Sequence, residues 1–221
     1  MRKAIVLVVA GLLLSAGPAM AQTKVEISGL VGWTFSDGVA GDAIKAPDGN
    51  TYNAVDVKDA FNWGLWFGVM ANDNLEVGFM FNQQQSALRL EGTQNRELGD
   101  MNVNTYHGYV AVNFADAEAK LRPYVLAGIG ATNFGSVSYT DAAGASASTG
   151  SATKFSTTWG GGVKVYPAEH VGLRFGFRWT PTYITSDSAG WWCDPYWGCY
   201  VVGNSKYANQ FDFSGGVTIR F

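Results

Sequence analysis

From Val25 onward, apolar and polar residues alternate along the chain with a period of two. Val25, Ile27, Gly29, Val31, Trp33 and Phe35 share one face of a first segment; Glu26, Ser28, Gly32 and Thr34 share the other, with Leu30 as the exception. Side chains of a β-strand point alternately to opposite faces, so this spacing predicts a strand. Seven further segments read the same way, near 60–71, 75–81, 104–114, 121–132, 154–166, 171–179 and 210–221. In the seventh strand Val171, Leu173, Phe175, Phe177 and Trp179 oppose Gly172, Arg174, Gly176 and Arg178. In the last, Phe211, Phe213, Val217, Ile219 and Phe221 oppose Gln210, Asp212, Ser214, Thr218 and Arg220.

The connections alternate in length. Three are tight, at 72–74, 115–120 and 166–170, and four are long, at 36–59, 87–102, 133–153 and 181–207. Short periplasmic turns and long external loops are the asymmetry of transmembrane β-barrels. The predicted fold class is therefore all-β: an eight-stranded antiparallel up-and-down transmembrane barrel that displays four long external loops.

The first residues do not belong to this pattern. Arg2 and Lys3 precede an apolar run from Ala4 to Leu14, and Ala19-Met20-Ala21 is a small-x-small cleavage site. Residues 1–21 read as a cleaved signal peptide and 22–221 as the barrel domain. The run is shorter than the roughly 20 residues a membrane-spanning helix needs.

Composition agrees. Glycine is abundant, 28 of 221 residues, and aromatics make up 14 % of the chain. Disordered chains are poor in aromatics, and glycine is costly inside helices. Acidic residues outnumber basic ones, 18 to 15, so no basic patch points to nucleic acid.

A soluble eight-stranded barrel would turn its apolar face inward. Two features favour the membrane. The polar face is rich in Gly, Ser, Thr and Asn, which suit a lumen only just wide enough for side chains. Aromatic residues gather toward the long-loop ends of the apolar face, at Trp33, Phe35, Phe61, Trp63, Trp159, Phe177, Trp179 and Phe211. Rings at that height form an interfacial girdle. Lipid offers no partner to backbone N–H and C=O groups, so the sheet must close and the last strand must pair with the first.

Two motifs now acquire meaning: Arg122-Pro123-Tyr124 followed by Gly128 and Gly130, and the closing run Phe211 to Phe221. On them the chain resembles the small outer-membrane β-barrel family, the group that holds the barrel domain of OmpA-like proteins. The resemblance implies outer-membrane localisation in a Gram-negative envelope. It implies contact with outer-membrane lipid and a monomeric barrel. It also implies a terminal strand, ending on Phe221, that is read by the barrel-assembly machinery. OmpA-like proteins continue into a peptidoglycan-binding domain; with the chain ending at Phe221, such anchoring is not expected here.

Candidate chemistry lies in the lumen and the last loop. Glu26, Glu76, Lys164, Arg174, Arg178, Asp212 and Arg220 fall on the inward face. Unpaired buried charges are costly, so a plug of ion pairs is expected. The alternative is a narrow pore, anion-preferring because bases outnumber acids. His107 faces the lumen and His170 lies in a turn, without a local nucleophile–acid motif. The His-x-Ser signature of lipid A deacylases is missing, and no enzyme activity or cofactor is expected. Cys193 and Cys199, in an exported chain, predict a local disulfide rather than a metal site, since zinc wants further ligands. Around them Trp191, Trp192, Tyr196 and Trp197 form either a self-packed loop core or an adhesive surface for an unknown ligand. The expected function is that of a structural or surface barrel, with the pore and the adhesin as alternatives.

Overall fold

Each predicted strand forms, and the outward face of each carries the apolar set. The computed structural model describes residues 24–45, 51–116, 118–140, 146–184, 193–194, 198–199 and 207–221. In chain order the strands are β1 (Val25–Ser36), β2 (Val39–Lys45), β3 (Thr51–Val57), β4 (Ala60–Met70), β5 (Leu75–Glu91), β6 (Arg96–Asn113) and β7 (Leu121–Phe134). They continue as β8 (Ser138–Thr140), β9 (Ser146–Ser148), β10 (Ala152–Val165), β11 (Val171–Tyr183), β12 (Cys193–Asp194), β13 (Gly198–Cys199) and β14 (Tyr207–Arg220). The predicted signal peptide, and Trp191, Trp192, Tyr196 and Trp197, lie outside the described residues.

Eight of these strands close into a ring, β1-β4-β5-β6-β7-β10-β11-β14, every pair antiparallel. Closure is β1 against β14, with Glu26 opposite Arg220. It continues to the last residue, where the Phe221 N–H donates to the Val25 carbonyl at 2.9 Å. The register also sets the tilt. From Thr153 the ladder passes through Asn133, Asn104, Gln83, Trp63, Val31, Gly215 and Phe175, then returns to β10 at Val163. The start and end of that circuit differ by about ten residues along one strand. With ordinary strand spacings, eight strands at this stagger tilt by roughly 40° and enclose a barrel about 8 Å in backbone radius.

The lipid-facing rows include Leu65, Phe79, Val110, Ile129, Phe175 and Val217, all substantially exposed. On the extracellular side these rows end in a ring of indoles whose N–H groups find polar partners. Trp63 donates to Gln83 Oε1 at 3.2 Å, Trp159 to Thr157 Oγ1 at 3.1 Å and Trp179 to Asn209 Oδ1 at 3.1 Å. An amphipathic ring with one wet end belongs at the lipid–water boundary.

The expected long loops differ most from expectation. Residues 87–102 do not form a loop: β5 runs on to Glu91 and β6 begins at Arg96, leaving a turn at 92–95. Residues 36–59 fold into the β2–β3 hairpin, whose β3 pairs with the outer end of β5. The 133–153 connection contains the β8–β9 hairpin, and the last one contains the paired β12 and β13. The period-two pattern is inverted here. Above the lipid boundary the inward residues are apolar: Leu88, Leu90, Met101, Val103, Phe134, Ile184 and Ala208 pack with Val39, Tyr52 and Val55 in one buried cluster. Water surrounds this part of the barrel, so its apolar side chains turn inward as in a soluble protein. The cluster draws on opposite walls and caps the extracellular mouth.

Asp56 on β3 anchors this cap, with its carboxylate 2.6 Å from the Arg89 guanidinium on β5. Burial pushes the Asp56 carboxyl above the usual carboxylate range, although Arg89 opposes the shift. A carboxyl raised in the folded state binds its proton more tightly there than in the open chain. Its contribution is therefore present at low pH and lost as pH rises through the folded value. Amide exchange of β3 should slow as pH is lowered from neutral into the acid range, after correction for the intrinsic rate. Asp56→Asn should remove that dependence.

Candidate functional site

The lumen collects charged and hydrogen-bonding side chains from all eight barrel strands. The parity of each strand dictates which side chains reach it. Glu26 on β1, Glu76 on β5, Arg122 on β7, Lys164 on β10 and Arg174 on β11 lie near the periplasmic ends of their strands and are almost wholly buried.

Lys164 is the hub of this lower tier. Its ammonium donates to Glu26 Oε2 and, at 2.6 Å, to Glu76 Oε2. Arg174 Nη1 approaches Glu76 Oε1 at 3.3 Å, and Arg122 Nη1 lies 3.8 Å from Glu26 Oε1. Tyrosine hydroxyls complete the carboxylates: Tyr109 donates to Glu76 at 2.6 Å and Tyr166 to Glu26 at 2.7 Å. Tyr109 fits because Gly78 faces it. A Cβ at Gly78 would sit 2.8 Å from the Tyr109 ring and 2.2 Å from the Phe67 carbonyl oxygen. The tier therefore combines three cations with two carboxylates, each out of water.

A second tier lies nearer the extracellular end. Arg178 on β11 and Asp212 on β14 face each other in the ladder, with Nη2 3.1 Å from Oδ1. Asn62 donates to the other carboxylate oxygen at 2.5 Å and to Thr34 at 2.8 Å. Between the tiers lies Trp66, whose ring is 4.3 Å from the Arg174 guanidinium and 5.1 Å from that of Arg178. Guanidinium groups stack favourably on indole faces, so Trp66 couples the tiers. Leu30, the exception in the first strand, is buried against this ring in a cluster that includes Met80, Tyr109 and Tyr124.

The inward charges predicted from sequence are thus all buried, and six of the seven belong to the two tiers. Arg220 stands apart. It donates to the Glu169 carbonyl at 3.0 Å and lies over the Tyr166 ring at 4.4 Å, at the periplasmic mouth. Arg122, Trp66, Tyr109, Tyr124 and Tyr166 also take part in these contacts, although they are not among the lumen residues expected from the sequence. Strand parity would have placed Arg122 beside Tyr124 and Trp66 beside Gly64 on the inward face. Tyr166 follows the last residue of β10 and keeps the inward parity of Lys164.

His107 is buried, with Nε2 2.9 Å from Ser156 Oγ. Ser156 also accepts a hydrogen bond from Thr132 at 2.9 Å, and Thr182 donates to Thr132 at 3.0 Å. Among the described residues His107 Nδ1 has no hydrogen-bond partner, so no acid orients the ring as a general base. His170 Nδ1 lies 3.1 Å from the Arg220 carbonyl oxygen and helps hold the turn before β11. No group of three or more metal-ligating side chains exists among the described residues.

Removing Lys164 would leave two neighbouring carboxylates buried without their common cation. Breaking a buried ion pair from one side costs about 3–5 kcal/mol. Lys164→Met should lower folded stability by about that amount, read as an earlier urea midpoint in lipid vesicles. The triple variant Lys164→Met, Glu26→Gln, Glu76→Gln should recover part of the loss.

Comparison with known proteins places this architecture. No curated protein sequence matches the chain. Among solved structures it resembles outer membrane protein OprG of Pseudomonas aeruginosa, with a TM-score of 0.57 and 14 % identity, covering 90 % of this chain and 95 % of that one. Neisserial surface protein A superposes with a TM-score of 0.52 and 15 % identity over 90 % of this chain and 97 % of that one. The N-terminal β-barrel domain of Pseudomonas aeruginosa OprF gives 0.50 and 15 % identity, over 90 % of this chain and all of that domain. At such identities the likeness is one of fold. The profile of the outer membrane protein β-barrel domain family matches residues 4–221. The chain therefore belongs to the outer membrane protein β-barrel domain family, and its place is the cell outer membrane.

Proposed function

We propose that this protein is a closed, non-enzymatic barrel that contributes to the outer membrane as a structural element and displays folded hairpins at the cell surface. The observation that carries this reading is the double obstruction of the lumen. The Glu26–Lys164–Glu76–Arg174 tier crosses the periplasmic half, and the apolar cluster around Leu88, Met101 and Phe134 crosses the extracellular mouth. An ion would have to break buried pairs in the first and enter hydrocarbon in the second, and both steps are costly.

The runner-up is a small anion-preferring pore. It is favoured by the cation excess of the lower tier, where Arg122, Lys164 and Arg174 face Glu26 and Glu76. The barrel should be monomeric, since the ring closes on itself and leaves no barrel strand edge to pair with another copy. Phe221 completes the β1–β14 seam, which suits a terminal strand handled by the barrel-assembly machinery.

At the surface, the backbone sets Cys193 directly opposite Cys199 in the β12–β13 ladder. That register and the oxidising route of export favour a disulfide that staples the last loop.

Protein refolded into planar lipid bilayers should show no current steps above the lipid background; regular steps with anion selectivity would establish the pore instead. Intact-mass measurement should show a gain of two hydrogens on reduction, and an unchanged mass would remove the disulfide.

A further inference from the structure

Three cations of the lower tier stand side by side. Arg122 on β7 is the ladder partner of Lys164 on β10, and Lys164 is the ladder partner of Arg174 on β11. All three are almost wholly buried. Like charges directly opposite in a ladder repel. The facing strands β1 and β5 answer this row with only two carboxylates, Glu26 and Glu76.

The contacts locate the excess charge. Lys164 takes one oxygen from each carboxylate. Arg174 takes the second oxygen of Glu76 at 3.3 Å, and its guanidinium lies 4.3 Å from the Trp66 ring and 4.5 Å from that of Tyr124. Arg122 is left with the second oxygen of Glu26 at 3.8 Å, beyond hydrogen-bond reach, and Tyr166 already donates to that oxygen. Its one hydrogen bond runs from Nη2 to the Asp73 carbonyl at 2.7 Å, in the periplasmic turn. Glu118, on the 115–120 turn, is exposed and paired with Lys24 at 2.5 Å. The uncompensated cation of the tier is therefore Arg122.

Arg122 also carries two buried N–H groups, at Nε and Nη1, without a hydrogen-bond partner among the described residues. A guanidinium does not shed its proton, so the charge has to be met by another group. A neutral ligand would satisfy the N–H groups and leave the buried charge unmatched; an anion satisfies both. One negative charge suffices, because three cations face two carboxylates. We propose that Arg122 is a binding site for a small monovalent inorganic anion of the size of chloride, reached from the periplasm beside the 72–74 turn. The site goes beyond the closed-lumen reading and does not depend on it. Bilayer currents test the lumen, and anion-dependent stability tests Arg122.

The experiment is urea unfolding of the full barrel in neutral lipid vesicles at constant ionic strength, with chloride replacing the bulky anion gluconate. Chloride at ten times its dissociation constant should raise the folding equilibrium constant about tenfold. Arg122→Met should lose this gain while keeping the heat-dependent gel shift of a folded barrel. An equal gain in Arg122→Met would make the effect one of salt in general and overturn the site, as would no gain in the wild type. A second measurement needs no variant. The chloride-35 NMR line should broaden in the presence of wild-type vesicles over protein-free ones and sharpen again when nitrate is added; an unbroadened line would overturn the proposal.

Discussion

Everything in this molecule depends on the inability of lipid to hydrogen-bond a peptide group. A chain crossing the hydrocarbon as strands must pair every backbone N–H and C=O within itself, and only a closed ring achieves this. The seam between β1 and β14 is therefore as much a condition of the fold as any core contact. Its continuation to Phe221, and the agreement of the ladder around all eight strands, follow from the same requirement. Once the ring closes at this stagger, its radius leaves room for little more than side chains.

The same constraint decides where apolar residues go. Within the membrane the solvent is outside and greasy, so Leu65, Phe79, Ile129 and Val217 face outward, while Glu26, Lys164 and Arg174 face inward. A few residues further along the same strands the solvent becomes water, and Leu88, Met101, Val103 and Phe134 turn inward instead. The polarity of a strand face thus reports the solvent on its outer side. The Trp63, Trp159 and Trp179 indoles mark the level at which it changes. One barrel carries two cores of opposite character, a polar one across from lipid and an apolar one across from water.

Much of the polar core could be read along the chain, because charges on the inward parity of a membrane strand have nowhere to go but the lumen. Glu26, Glu76, Lys164, Arg174, Arg178 and Asp212 were legible in this way. Their division into two tiers was not, since it depends on the heights at which staggered strands present them. Nor was the hub role of Lys164, whose carboxylate partners are on β1 and β5. Arg122 and Trp66 were legible by parity yet overlooked by type: one sits beside a proline and the other amid aromatic lipid-facing neighbours. The cap reads as loop in the sequence because its apolar residues sit on the inward parity, and beyond the lipid boundary the rule runs the other way.

By itself the sequence determined the all-β class, the positions of the eight spanning strands, the direction each face points and the family, because those follow from a local period of two and from composition. Tertiary structure alone decided which charges meet, where Trp66 stands between two arginines, and how the β2–β3 hairpin joins β5 to close the mouth. Those outcomes depend on the register between strands far apart in the chain. Register is set by ring closure as a whole, which no single segment encodes.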